Sequence, residues 1–392
     1  MAILAHLILL AIALPGALSC LYLLLLTLLS ARAPVPPRSS RSLRFDIVVP
    51  AHNEAAGIQR TVESLRRVDW PTDRFRVRVV ADNCTDATAE LARAAGADVL
   101  ERNNPLKRGK GYALDFAFRA GATDSWAQAV VVIDADAVVS ANLLEACATR
   151  IERGAQAVQV HYGVSNPDAN WRTRLITIAK SCFHIVRSRA RERLGLSCGV
   201  RGNGWCVTYD LLRRVPYACF SLTEDLEYGI ELGLAGVRVE YADEACANAD
   251  MVSDGKAAGT QRQRWEDGRF QMIRARTASL LQAALSRRSA VCLDLALDLL
   301  VLPLSYVVIG VAALLAVSEL ATMWRPELSP WVALGWICVA ALVAYVLRGW
   351  QLSGVGLRGL LDFARVPGYI AWKTMIMLRR RTGGWVRTRR ES

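Results

Sequence analysis

Residues 129–136 read AVVVIDAD. Five apolar residues in a row, four of them β-branched, suit a strand covered on both faces. The run stops abruptly at Asp134-Ala135-Asp136. Two carboxylates spaced in this way let at least one hold a hard divalent cation, with substrate phosphates completing its oxygen shell. A turn with two solvated aspartates would use the same residues, so the spacing alone leaves both readings open.

Similar runs lie on either side. Phe45 to Val49 is a short apolar strand ending at Pro50, and residues 54–67 follow with helical spacing at Ile58, Val62 and Leu65. Val77 to Ala81 predicts a second strand. Residues 85–95 predict a second helix, with Asn83 or Thr85 able to cap it. Ala155 to Val160 predicts a further strand. This alternation predicts an α/β fold with a mostly parallel central sheet covered on both faces. Ligands of such sheets bind beyond the carboxyl ends of the strands. No GxGxxG follows the first strand, and Arg108-Gly109-Lys110-Gly111 lacks phosphate-loop spacing. Acidic residues stand at the strand ends instead: Asp82, Asp134 and Asp136.

Outside this region the chain turns apolar. Hydrophobic residues make up 53% of 392, and mean hydropathy is +0.22. The excess is concentrated in blocks, which points to membrane segments attached to a globular part. Leu7 to Ser30 is uncharged and long enough to cross a bilayer. No Lys or Arg precedes it, unlike a cleaved leader, and Arg32, Arg38, Arg41 and Arg44 follow it. That asymmetry predicts a cytosolic domain after the first crossing. Leu299–Ser318 and Trp331–Leu347 predict two more crossings. The expected organisation is a membrane helix over 1–32, a linker over 33–44, a cytosolic domain over 45–281 and two membrane helices within 290–348. Interfacial amphipathic helices and a basic cytosolic tail would occupy 353–392.

The net charge of +12 lies largely beside the apolar blocks and in that tail, as an anionic membrane surface would favour. No nucleic-acid motif accompanies it, and no nucleic-acid partner is expected. Ten cysteines without a CxxC pair read as reduced thiols of a cytosolic domain.

Two further clusters carry chemistry. Thr223-Glu224-Asp225 precedes a helical stretch over 226–234, where carboxylates serve as caps or, alternatively, as a general base for a sugar hydroxyl. Gln261-Arg262-Gln263-Arg264-Trp265 offers guanidinium forks for phosphate and an indole face for a sugar. A basic stretch preceding a membrane helix is the plainer account. Residues 171–193, with Leu175, Ile178, Cys182 and Ile185 on one face, suit either the membrane surface or the domain core. Asp294 and Asp298, one turn apart beside the second crossing, mark either an acceptor path or a simple interface.

In order, Asp82, Asp134-Ala135-Asp136, Thr223-Glu224-Asp225 and QRQRW form a pattern that resembles the membrane-integrated family 2 glycosyltransferases. These include the cellulose, hyaluronan and chitin synthases and their smaller bacterial relatives. The resemblance runs from Phe45 to Arg274. It implies a GT-A (Rossmann-like) domain plus transmembrane helices, and a UDP-sugar donor. Glu54, Asp82, Lys110, Asp134, Asp136, Gln261 and Arg264 would bind the donor, with Asp136 holding Mg²⁺ or Mn²⁺. Asp225 would be the general base. Gly202, Asn203, Gly204, Glu224 and Trp265 would contact the acceptor, a lipid-linked or membrane-bound glycan. The reaction would invert the anomeric centre, at a bacterial-type cytoplasmic (inner) membrane with the catalytic domain in the cytosol. Processive synthesis of a polysaccharide, an oligomer, and an inactive membrane scaffold are the alternatives the pattern leaves open.

Overall fold

Strands and helices alternate through the middle of the chain. In order, α1 (Ala2–Leu28) is followed by β1 (Phe45–Ala51), α2 (Ile58–Arg66), β2 (Phe75–Asp82), α3 (Thr88–Ala94), β3 (Asp98–Arg102) and α4 (Lys110–Asp124). Next come β4 (Ala129–Val132), β5 (Ala137–Val139), α5 (Leu143–Ile151) and β6 (Ala157–Val164). Then α6 (Trp171–Ser181) runs through a π-helical turn (Cys182–Val186) into α7 (Arg187–Arg193). They lead to β7 (Trp205–Thr208), α8 (Tyr209–Arg214), α9 (Glu224–Leu234) and β8 (Val239–Ala249). The chain continues as α10 (Gly255–Ser286), α11 (Ala290–Leu300), α12 (Leu304–Trp324), α13 (Ser329–Ser353) and α14 (Gly356–Asp362). This computed structural model describes residues 2–251 and 255–368, and the side chains of 2, 255–262 and 264 are outside the description.

The eight strands form one sheet in the order β3-β2-β1-β4-β7-β6-β8-β5. β1 pairs in parallel with β2 and β4, β2 with β3, and β6 with β8. β7 runs antiparallel to β4 and β6, and β5 antiparallel to β8. The sheet is therefore mostly parallel, with β7 and β5 reversed. Successive residues of its centre face opposite layers. Ile47, Val49, Val131 and Ile133 pack with Ile58, Val62 and Leu65 of α2 on one side. Val48, Val130 and Val132 pack with Leu114 and Phe118 of α4 on the other. Burying a valine or isoleucine this fully stabilises the fold by about 1.5–3 kcal/mol. A charged residue at Val131 would break the layer.

Two helices start later than their spacing predicts. The backbone N–H of Glu54 donates to Thr88 Oγ1, which keeps residues before Ile58 in a loop over the end of β1. At α3 the capping acceptor is Asp86, whose Oδ1 takes the Thr88 N–H. Asn83 has φ 51° and instead accepts from the Asn104 N–H.

Ile3–Leu28, Leu304–Trp324 and Pro326–Ser353 are long and apolar enough to cross a membrane. The second begins later than its apolar run, because Pro303 separates α11 from α12. The amphipathic segment over 171–193 takes neither of its two expected positions. An Asn170–Thr173 capping box starts it. Leu175, Ile178, Cys182 and Val186 then pack against Cys20 and Leu23 of α1 and Cys338, Leu342 and Tyr345 of α13. Gly349 of α13 lies so close to Cys182 that no side chain would fit there.

Behind that contact is a buried ionic knot. Arg191, fully buried, pairs with Asp294 at 2.9 Å and Asp298 at 2.7 Å, and donates to the Tyr22 hydroxyl at 2.6 Å. Arg187 joins Asp298 at 2.8 Å and Tyr345 at 2.9 Å. Tyr22 donates to Asp294 at 2.8 Å. The two aspartates are thus counter-ions inside the protein, not solvated interfacial groups. Of the expected interfacial region 353–392, the described part contains α14 and a 3₁₀ turn over Phe363–Arg365, and 369–392 lie outside the described residues.

Candidate active site

Asp82 ends β2, beyond the sheet as the topology requires. Its Oδ1 accepts from Asn83 Nδ2 at 2.9 Å and pairs with Arg102 of β3. Arg102 also donates to the Lys107 carbonyl at 2.9 Å and lies over the Tyr112 ring, 5.8 Å from its centroid. Tyr112 stacks on Phe220. His52 Nδ1 lies 2.7 Å from the Asp82 carbonyl, in the loop that carries Glu54. One strand, β1, separates Asp82 from the end of β4, which puts the two strand ends about 10 Å apart.

At the end of β4, a turn of Gly202-Asn203-Gly204 closes on the Asp134 backbone. Asn203 Oδ1 accepts from the Asp134 N–H at 3.0 Å, and the Gly204 N–H donates to the Val132 carbonyl at 3.0 Å. The two glycines have φ 82° and 74°, left-handed values that favour glycine. Buried Gln159 holds the turn from below by donating to the Asn203 carbonyl at 2.7 Å. Lys110, the first residue of α4, then reaches across. Its Nζ donates to Asp134 Oδ1 at 2.6 Å and to the Gly202 carbonyl at 2.7 Å, and lies 3.8 Å from Glu224 Oε1. Burial works against the ammonium, but Asp134 and Glu224 outweigh it and raise its pKa above the usual lysine value. Asp136 is buried two residues on, and its carbonyl accepts from Arg60.

Glu224 and Asp225 form the first turn of α9. Burial pushes the Glu224 carboxyl up to about 7, with Lys110 opposing, and raises Asp225 for the same reason. The two carboxyls are close enough to titrate together. A side chain at Gly202 would come within 3.4 Å of Asp225 Oδ2 and 3.6 Å of the Tyr162 ring. Gly202 thus lies directly beside the Asp225 carboxylate and the Tyr162 ring. α10 packs on this turn, since Gly268 meets Thr223 with no room for a side chain. Trp265 on α10 is 40% exposed. The side chains of Gln261 and Arg264 lie outside the described residues.

The structure therefore brings Lys110, Asp134, Gly202, Asn203, Glu224 and Asp225 into one cluster, with Asp82 two strands away. Sequence reasoning missed Arg102, Gln159 and Tyr162, whose partners are remote in sequence and which sit in no recognisable motif. Among the described residues no group of three or more His, Cys, Asp or Glu gathers to hold a metal. Asp134 is engaged by Lys110, and the carboxylate the sequence assigns to a cation is that of Asp136. A single protein carboxylate fits Mg²⁺ or Mn²⁺ of the kind bound mostly by substrate phosphates and water.

Comparison with known proteins gives this geometry a context. The model of "Glycosyl transferase family 2" matches residues 46–204, and that of "Glycosyl transferase family group 2" matches residues 129–350. The beta-monoglucosyldiacylglycerol synthase of Nostoc sp. is 29% identical over 242 residues, covering 59% of this chain and 50% of that protein. Its counterpart in Synechocystis sp. is 29% identical over 233 residues, 57% of this chain and 47% of that protein. The chain thus spans about half the length of the curated relatives it matches. Among solved structures, the mannosyltransferase PcManGT of Pyrobaculum calidifontis, in complex with GDP-Man and Mn²⁺, aligns with a TM-score of 0.50. That alignment covers 86% of this chain and 98% of the other at 20% identity, and shows a shared GT-A fold. With more than half of its length matched by one family model, the chain belongs to glycosyl transferase family group 2 and is a glycosyltransferase.

Proposed function

We propose that the protein transfers a sugar from a UDP-α-sugar to a hydroxyl of a lipid-linked or membrane-bound acceptor, with inversion to a β-linkage. The observation that carries this reading is the cluster at the Gly202 turn, where the half-buried carboxylate of Asp225 and the Lys110–Asp134 pair come together. Asp82 binds the uracil, with Glu54 near the nucleoside. Lys110, Gln261 and Arg264 serve the diphosphate, and Trp265, Glu224 and Asn203 the acceptor. Asp136 would hold Mg²⁺ or Mn²⁺, which when bound neutralises charge on the departing diphosphate. Asp225 takes the proton of the acceptor hydroxyl as its oxygen bonds to the anomeric carbon, while the bond from that carbon to UDP breaks on the opposite face. A base buried enough to have a raised pKa suits this step near neutral pH. Glu224 suits it less, because Lys110 lies against it.

The relatives' name, beta-monoglucosyldiacylglycerol synthase, supports a β-linked product and a lipid acceptor. The packing of the membrane helices supports addition of a single sugar over polymer export. Cys20, Leu23, Val307, Val311, Cys338 and Leu342 fill the space between them in one apolar cluster. We place the catalytic domain on the cytosolic side of the membrane, following the positive charges after the first crossing. The test is UDP release by the purified chain in lipid nanodiscs with Mn²⁺ and a panel of UDP-sugars, together with mass analysis of the product. Turnover with a singly glycosylated lipid is expected. A ladder of long products would reject single addition, and no turnover with any UDP-sugar would reject the reading.

A further inference from the structure

Lys180 is the penultimate residue of α6, and its ammonium stands where a fold would not ordinarily leave one. Its Nζ is shut off from solvent and has no hydrogen-bond partner among the described residues. It lies 3.3 Å from the centroid of the Tyr162 ring. The edge of that same ring borders Gly202, beside Asp225. The charges Lys180 senses most are Asp134 and Asp136, neither close enough to form an ion pair. Burial, partly offset by these two carboxylates, pulls its pKa down to about 7. His184 packs against Tyr162 with ring centroids 5.3 Å apart, and burial holds its pKa well below the usual histidine value.

An ammonium without a counter-ion is costly to bury. A contact with one aromatic face offsets part of that cost but leaves every N–H unbonded. Lys110 offers a contrast, since its N–H groups are already committed to Asp134 and Gly202. Among the described residues, Lys180 is a cation beside this site whose hydrogen-bonding capacity is unused. It approaches from the membrane-helix side, with Tyr162 forming its floor and the Asp134–Asp136 loop its nearest charges.

We propose that Lys180 is a donor-binding residue, contacting a phosphoryl oxygen of the nucleoside diphosphate from above the Tyr162 ring. The proposal rests on the function proposed above and extends it to a residue outside the four motifs. A phosphate could also arrive on an acceptor lipid. We commit to the donor because the loop carrying Asp136 is what Lys180 faces.

The experiment uses the full chain in nanodiscs and compares wild type, Lys180→Met and Lys180→Arg. Binding of UDP with Mn²⁺ is measured by calorimetry, KM separately for donor and acceptor, and thermal unfolding without ligand. Loss of a charge-assisted hydrogen bond predicts UDP affinity about 10- to 100-fold weaker in Lys180→Met. Acceptor KM should be unchanged, Lys180→Arg should recover most of the affinity, and the unliganded Lys180→Met protein should be no less heat-stable than wild type. A raised acceptor KM with unchanged UDP affinity would assign the contact to a lipid phosphate and overturn the proposal. Lower thermal stability with UDP affinity unchanged would make Lys180 structural and also overturn it. Failure of wild type to bind UDP would instead sink the proposed function and this inference together.

Discussion

Replacing Lys110 by methionine tests the electrostatics of the site most directly. Its Nζ stands 3.8 Å from Glu224 Oε1, with the two side chains 25% and 13% exposed. Unit charges at this separation interact by about 4 kcal/mol at an effective dielectric of 20 and by about 1 kcal/mol in water. The partial exposure of Lys110 favours the lower figure. One pKa unit corresponds to about 1.4 kcal/mol, so losing the ammonium raises the apparent pKa of the Glu224–Asp225 pair by about one unit. The sign is fixed, because Lys110 lowers both carboxyls and its removal leaves burial unopposed. A base must be ionised to accept a proton, so the acidic limb of kcat/KM moves to higher pH. UDP release would be followed from pH 5.5 to 9.5 at saturating Mn²⁺, each profile scaled to its own plateau. The variant should fall away from its plateau about one pH unit earlier on acidification. A limb that stays in place, or moves to lower pH, would refute the coupling of Lys110 to the proposed base.

Asp225→Asn should keep the fold by circular dichroism yet lower kcat by roughly 10²–10⁴-fold, as loss of a general base does; near-normal kcat would remove Asp225 from that role. Gly202→Ala meets a left-handed φ and sets a methyl group against Asp225 and Tyr162, and should cost about 1–2 kcal/mol in stability and raise acceptor KM, read from thermal unfolding and kinetics. Glu224 has a folded pKa of about 7 against an ordinary 4.5, so its stabilising contribution is present below pH 4.5 and lost as pH rises through 7. Unfolding temperatures should therefore fall between pH 5 and 8, and less steeply in Glu224→Gln. Arg191→Ala strands Asp294 in the buried knot and should destabilise by about 3–5 kcal/mol, visible as a lower unfolding temperature in detergent.

The centre of the sheet was legible in the sequence because burial on both faces leaves unbroken β-branched runs, as at 129–133. β3, β5 and β7 were not, being three to five residues long and either at an edge or paired antiparallel behind a glycine turn, and nor was β8, whose eleven residues VEYADEACANA carry no β-branched run. The candidate motif residues were singled out by type and position, whereas Lys110 entered only through the family resemblance. Lys180 gave no signal, since one lysine on an amphipathic helix looks like any solvated cation until Tyr162 is folded beneath it. Asp294 and Asp298 read as interfacial because their partners, Arg187 and Arg191, come from a segment distant in sequence whose packing on α1 and α13 no local pattern reveals.

The ionic knot also bears on how the polypeptide can be divided. Arg187 and Arg191 leave the ribosome well before Asp294 and Asp298, their carboxylate partners among the described residues. A fragment spanning 45–281, the bounds the sequence alone suggests for the cytosolic domain, keeps the arginines and discards both aspartates. It would display a cationic, half-greasy scar where α1 and α13 used to sit. A soluble version is better sought by retaining α11 and redesigning the faces of α6 and α7 that the membrane helices cover.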